Sequence, residues 1–136
     1  MSPPVVLITG ALTGIGRAAA IVFAKAGNRV LVSGRRRDAG EALVDELRSL
    51  GAEAEFVQAD VRKEDEVRRL IDRTVERFGR LDAAVNNAGS EGKPGPIVEQ
   101  TAESYAATFD TNVLGNRKST RLNSSHEIPS RMPSSA

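Results

Sequence analysis

The 136-residue chain has no cysteine and no tryptophan, one tyrosine and one histidine. Without cysteine there can be no disulfide and no thiolate metal site, a composition that fits an intracellular protein. The single histidine, His126, falls in a C-terminal segment set aside below, so no imidazole chemistry and no metal site are expected. No stretch approaches the roughly 20 apolar residues of a membrane span. The opening Met1-Ser2-Pro3-Pro4 has no basic region ahead of a long apolar run. The default expectation is a cytoplasmic protein of one domain at most. Charge is nearly balanced, at +1 overall. The last twenty residues contribute +3 of this, through Arg117, Lys118, Arg121 and Arg131 against Glu127, which leaves the first 116 residues at −2. The mildly basic balance therefore implies no nucleic-acid partner.

Those last residues form a segment apart. Residues 117–136 resemble the translation of a short-read DNA sequencing adapter. The codons ACA CGT CTG AAC TCC AGT CAC give Thr120 to His126, and CGG AAG AGC give Arg117, Lys118 and Ser119. The codon before these would encode Asp, whereas the chain has Asn116. The expectation is a truncated domain over 1–115 followed by a non-native tail over 116–136. With Leu122, Ile128, Met132 and Ala136 as its apolar residues, the tail cannot offset an ordering cost of roughly 1–2 kcal/mol per residue and is expected to be disordered. The alternative is a natural basic, Ser-rich tail, which would be encoded in the genomic DNA of the source.

The body alternates short apolar runs with segments of helical period. Val5–Ile8, Val30–Val32, Ala54–Val57 and Leu81–Asn86 read as strands. An Ala-rich helix is expected from Gly14 to Lys25, stopped by Gly27. Ala39, Leu43, Leu47 and Leu50 mark a second helix, and Val67, Leu70, Ile71, Thr74 and Phe78 a third that ends before Gly79. Glu91 to Pro96 reads as a loop, and a fourth helix starts near Thr101 and carries Tyr105, Phe109 and Val113. Strands alternating with helices imply βαβ units and an α/β, doubly wound parallel sheet. Right-handed crossovers then give a partial Rossmann-like sheet of four strands in the order 3-2-1-4.

The chemistry-bearing residues cluster at strand ends. Thr9-Gly10-Ala11-Leu12-Thr13-Gly14-Ile15-Gly16 joins the first strand to the first helix. Glycines there permit a tight turn, close approach of the backbone to a pyrophosphate, and tight packing of helix on sheet. The helix N-terminus offers unpaired N–H groups to an anion. A glycine-rich turn without a ligand is the plainer alternative, and no Gly-Lys-Ser/Thr follows to make a Walker A loop. After the second strand comes Ser33-Gly34-Arg35-Arg36-Arg37. A ribose with a free 2′-OH would want a carboxylate near Gly34, whereas Arg35 suits a 2′-phosphate. NADP(H) is thus favoured and NAD(H) stays open, as does a reading of the arginines as a solvated helix entry.

The Gly-x-x-x-Gly-x-Gly order resembles the short-chain dehydrogenase/reductase family. So do Asp60-Val61 at the end of the third strand, Asn86-Asn87-Ala88-Gly89 at the end of the fourth, and Asn112 on the following helix. Singly, these could be a helix cap, turn residues and a solvated helix residue. The resemblance implies a nicotinamide dinucleotide held by Gly10, Thr13, Gly14, Ile15, Gly16 and Arg35. It implies an adenine read by Asp60 and the Val61 N–H, further contacts at Asn87, Ala88 and Gly89, and a proton-relay role for Asn112. It also implies hydride exchange with a small alcohol or carbonyl substrate in a homo-oligomeric parent. The family's catalytic Ser, Tyr and Lys have no counterpart here. The sole tyrosine, Tyr105, has Phe109 four residues on instead of Lys, and reads as a packing residue. The chain is expected to be inactive and not to form the parent's oligomer. Two other readings are a non-catalytic dinucleotide-binding module and a methyltransferase on a related sheet, the latter disfavoured because Arg35 stands where an acidic residue would be wanted.

Overall fold

The computed structural model describes residues 2–90 and 95–115. The proposed tail and most of the Glu91–Pro96 loop lie outside the described residues. Strand β1 (Val5–Thr9) is buried along its whole length, as a β-branched run between two covered faces should be. It pairs in parallel with β2 (Arg29–Gly34) on one side and β4 (Ala83–Asn86) on the other. β2 in turn pairs with β3 (Ala54–Gln58), giving the order β3-β2-β1-β4 that the right-handed crossovers predict.

Side-chain alternation divides the core in two. Val6, Ile8, Val30, Val32, Ala54 and Phe56 face α1 (Gly14–Lys25) and α2 (Arg37–Ser49), packing on Ala20, Ala24, Leu43, Val44 and Leu47. Val5, Leu7 and Leu31 face α3 (Glu64–Phe78), meeting Val67, Leu70, Ile71 and Phe78. Each large side chain so buried is worth roughly 1.5–3 kcal/mol. All five residues expected on the third helix's apolar face are buried. Gly79 ends that helix at φ 79°, a left-handed conformation that strains any residue with a Cβ. Acidic Glu64, Asp65 and Glu66 at its start and Arg77 in its last turn complement the helix dipole.

Two sequence expectations shift. Leu50 is not part of the second helix's buried face but lies at its C-terminal cap, 41% exposed. The fourth strand begins at Ala83, not Leu81: Leu81 turns into the α3-side core, and Asp82 bonds across to β1 instead of extending the ladder. The Val5 N–H donates to Asp82 Oδ2 at 2.7 Å, while the Asp82 N–H donates to the Val5 carbonyl at 3.0 Å. Burial acts to raise the Asp82 carboxyl, but the Val5 N–H and Arg80 outweigh it and hold it below its ordinary range. Among the described residues β4 pairs only with β1, and its side chains are half-buried or exposed. Helix α4 (Ala102–Phe109) starts at Thr101 with reciprocal Thr101–Ser104 capping, runs into a π-helical turn (Asp110–Gly115), and buries no side chain of its own.

Gly40 on α2 is required by packing. A Cβ there would sit 2.2 Å from Phe56 Cε1. Gly40→Ala gains helix propensity of about 1 kcal/mol but forces the Phe56 ring to move, at a cost of roughly 1–3 kcal/mol. The expected outcome in urea unfolding is net destabilisation; a Gly40→Ala chain more stable than wild type would contradict this packing.

Candidate functional site

An open cleft of about 710 Å³ lies across the C-terminal ends of the four parallel strands. Its volume falls within the roughly 300–1,000 Å³ of small-molecule and cofactor sites. The β1–α1 turn forms its floor. Gly10 has φ 62°, and a Cβ on it would lie 2.8 Å from the Ala88 Cα. A Cβ on Gly16 would lie 2.2 Å from the Gly10 carbonyl oxygen and 2.6 Å from Asn87 Nδ2. The two strand exits therefore touch main chain to main chain, and only glycine fits between them. Gly14 (φ 56°) borders open space and leads into α1. Thr13, the N-cap of α1, makes no side-chain cap bond, and the first turn of the helix carries no acid. Its N–H groups and partial positive charge face the cleft without a competing side-chain anion.

Thr9 fastens this floor to β4, a role that the sequence reading did not assign. Its hydroxyl oxygen accepts from the Asn87 N–H (3.1 Å) and the Ala88 N–H (3.3 Å). The Asn87 side-chain amide donates to the Gly10 carbonyl at 3.1 Å. The Asn-Asn-Ala-Gly segment is thus tied to the glycine-rich turn by three bonds, and Asn87, Ala88 and Gly89 all line the cleft. Asn112 lines it too, on the π-helical turn. Its amide donates to the Ser90 carbonyl (2.7 Å) while its Oδ1 accepts from the Ser90 N–H (2.6 Å). Both ends of the Asn112 amide are spent on holding Ser90. Tyr105 is not among the cleft-lining residues: it stacks on Phe109, with ring centroids 4.3 Å apart, and is 62% exposed.

The other wall comes from β2 and β3. Arg35 and Arg36 are exposed at the cleft rim, and neither makes an ion pair among the described residues. Leu12 fills the space over Gly34, where a Cβ would lie 2.5 Å from Leu12 Cδ1. The Ser33 carbonyl accepts the Ala11 N–H at 3.1 Å, tying the glycine-rich turn to β2. Ser33 Oγ, in contrast, is buried without a partner among the described residues. Asp60 and Val61 lie at the exit of β3. Asp60 is not the cap of α3, whose N-cap is Lys63; it closes the turn just ahead of the helix by accepting the Arg62 N–H. The Arg62 guanidinium beside it holds the Asp60 carboxyl down to about 2.

That shift gives a signed pH dependence. The Asp60 carboxyl is lowered from 3.8 to about 2. Its stabilising contact is fully present above pH 3.8 and is lost as pH falls toward about 2. In thermal melts, Asp60→Asn should therefore be less stable than wild type at neutral pH, and the gap should close over that acid window. A gap constant down to pH 2 would contradict the assignment.

Comparison with known proteins agrees with this architecture. Residues 4–127 match the short chain dehydrogenase family, a span that ends inside the segment read above as a non-native tail. Over 111 residues the chain is 42% identical to an L-fucose dehydrogenase of Oryctolagus cuniculus, covering 82% of this chain and 38% of that protein. It is 44% identical to an A-factor type gamma-butyrolactone 1′-reductase of Streptomyces virginiae, covering 82% and 43%. The chain thus spans about two-fifths of the length of these curated relatives. Among solved structures, NAD+-bound xylitol dehydrogenase superposes with a TM-score of 0.90 at 31% identity, over 93% of this chain and 49% of that one. The actinorhodin polyketide ketoreductase with NADPH gives 0.90 at 35% identity, over 95% and 49%. By sequence and by fold, the chain belongs to the short-chain dehydrogenase family.

Proposed function

We propose that this chain is the dinucleotide-binding half of an NAD(P)-dependent oxidoreductase. The observation that carries the reading is the glycine-only contact of Gly10 and Gly16 with Asn87 and Ala88, which sets the uncapped start of α1 at the cleft floor. In this reading Thr13, Gly14 and Ile15 hold the pyrophosphate with main-chain N–H groups. Asp60 and the Val61 N–H take the adenine, and Asn87, Ala88 and Gly89 border the nicotinamide ribose. The nicotinamide, when bound, supplies hydride exchange with an alcohol or carbonyl carbon. Asn112, by fixing Ser90, keeps the Asn-Asn-Ala-Gly segment in place beneath it.

Arg35 supports a preference for the 2′-phosphorylated cofactor. Its guanidinium stands at the cleft rim and makes no ion pair among the described residues, and a phosphate takes such a fork in charge-assisted bonds. Relatives of both kinds exist, since the xylitol dehydrogenase structure holds NAD+ and the ketoreductase structure NADPH. In binding titrations, Arg35→Asp should reduce NADPH affinity by about tenfold or more and leave NADH affinity nearly unchanged. An unaltered ratio between the two cofactors would overturn the assignment.

As it stands, the chain is proposed to bind without catalysing. The sole tyrosine points away from the proton-transfer role: it is followed four residues later by Phe109, with which it stacks outside the cleft. Purified chain should oxidise no alcohol and reduce no carbonyl with either cofactor above the buffer background. Sustained turnover would show that a catalytic set independent of Ser, Tyr and Lys is present. The same observation favours a second reading, a non-catalytic dinucleotide-binding module. The two readings separate on whether the source locus continues into a Tyr-x-x-x-Lys segment.

A further inference from the structure

The Asp60 carboxylate is gripped by one neighbour two residues away. Arg62 Nε lies 3.0 Å from Oδ1 and 3.1 Å from Oδ2, one terminal guanidinium nitrogen lies 2.7 Å from Oδ2, and the Arg62 backbone N–H donates to Oδ1 at 3.0 Å. The Asp60 main chain is fixed as well. Its N–H donates to Glu66 Oε1 at 3.2 Å, and its carbonyl accepts the Lys63 N–H at 3.0 Å. Asp60 lines the cleft, whereas Arg62 is exposed and is not among the lining residues. The grip therefore comes from outside the site. Asp110 faces Arg62 electrostatically from the π-helical turn, and Arg35 acts on Asp60 from the β2 exit.

A carboxylate has about four lone-pair positions. The guanidinium fork takes one edge of Asp60, and the backbone N–H takes a further position on Oδ1. Among the described residues, one position on Oδ2 is left for a donor. We propose that Arg62 is a positioning residue that sets base selectivity, turning Asp60 so that its last acceptor position meets an exocyclic amine and refuses an exocyclic carbonyl. A carboxylate without the fork could rotate and accept a ring N–H from a 6-oxo purine instead. A fork-held one cannot rotate without breaking two charge-assisted bonds. Lysine cannot replace the arginine, because an ammonium is a point charge and fixes no plane. This inference rests on the dinucleotide reading above.

The test titrates the full chain with NADPH and with its hypoxanthine analogue, which carries a 6-oxo group. Wild type should prefer the adenine form by about tenfold or more. Arg62→Gln and Arg62→Lys should bring the two within about twofold while the chain still melts cooperatively, at a somewhat lower temperature because the Asp60 contact is weakened. In the same variants, the Asp60 carboxyl followed by NMR should rise from about 2 toward its ordinary value of 3.8. A merely structural role would weaken both dinucleotides alike and keep their ratio, which would overturn the proposal. So would a wild-type chain that binds both bases equally, leaving the dinucleotide reading intact. Failure of wild type to bind either dinucleotide would remove that reading and this inference together.

Discussion

The site depends on a space too small for a methyl group. Gly10 lets the turn after β1 lie directly against the main chain leaving β4, and Gly16 lets the start of α1 close on the Gly10 carbonyl; a Cβ at either position would fall within 3 Å of backbone atoms. Overlap of that kind with backbone cannot be relieved by a side-chain rotation. Once the approach is made, Thr9 and Asn87 lock it with hydrogen bonds, and α1 starts where its free N–H groups open on the cleft. Arg35 and Asp60 border the same space because β2 and β3 run parallel to β1 and end on the same side of the sheet.

The helix starts show how local chemistry is matched to role. α3 opens with three acidic residues, which satisfy its dipole internally and leave nothing for an external anion. α1 opens with Gly14-Ile15-Gly16 and no acid, at some cost to its own stability. That cost is offset by the close packing of Ala20 and Ala24 on Val6, Ile8, Val30 and Val32. The far end of the described chain is built differently. α4 buries none of its residues, and Ile97, Val98, Tyr105, Phe109 and Val113 are all exposed. The relatives matched here run to more than twice the portion that this chain covers.

Strand and helix order was legible because buried parallel strands read as β-branched runs and the helices as period-3.6 faces, with Gly27 and Gly79 ending two of them at positive φ. The glycine-rich turn, Asp60-Val61 and Asn87-Ala88-Gly89 were legible as a constellation, since each ends a strand and the strands share a direction. Contacts between residues distant in sequence were not. Nothing in the sequence links Gly40 to Phe56, or the Thr9 hydroxyl to the Asn87 N–H, because both depend on the register with which elements pack. The start of β4 was misplaced for a similar reason: Leu81 is apolar and suits a strand, but the α3-side core takes it first. Arg62 carries no mark in the sequence that sets it apart from the chain's other arginines. Only its two-residue reach back to Asp60 gives it a place at the site.

The most direct test of the account follows backbone amides by NMR as NADPH is added to the full chain. The account predicts that the largest shifts fall on Gly10 to Gly16, Arg35, Asp60-Val61 and Asn87 to Gly89, four segments far apart in sequence and joined only by this fold. Saturable binding that leaves those amides unmoved, or that shifts mainly residues of α3 and α4, would contradict it.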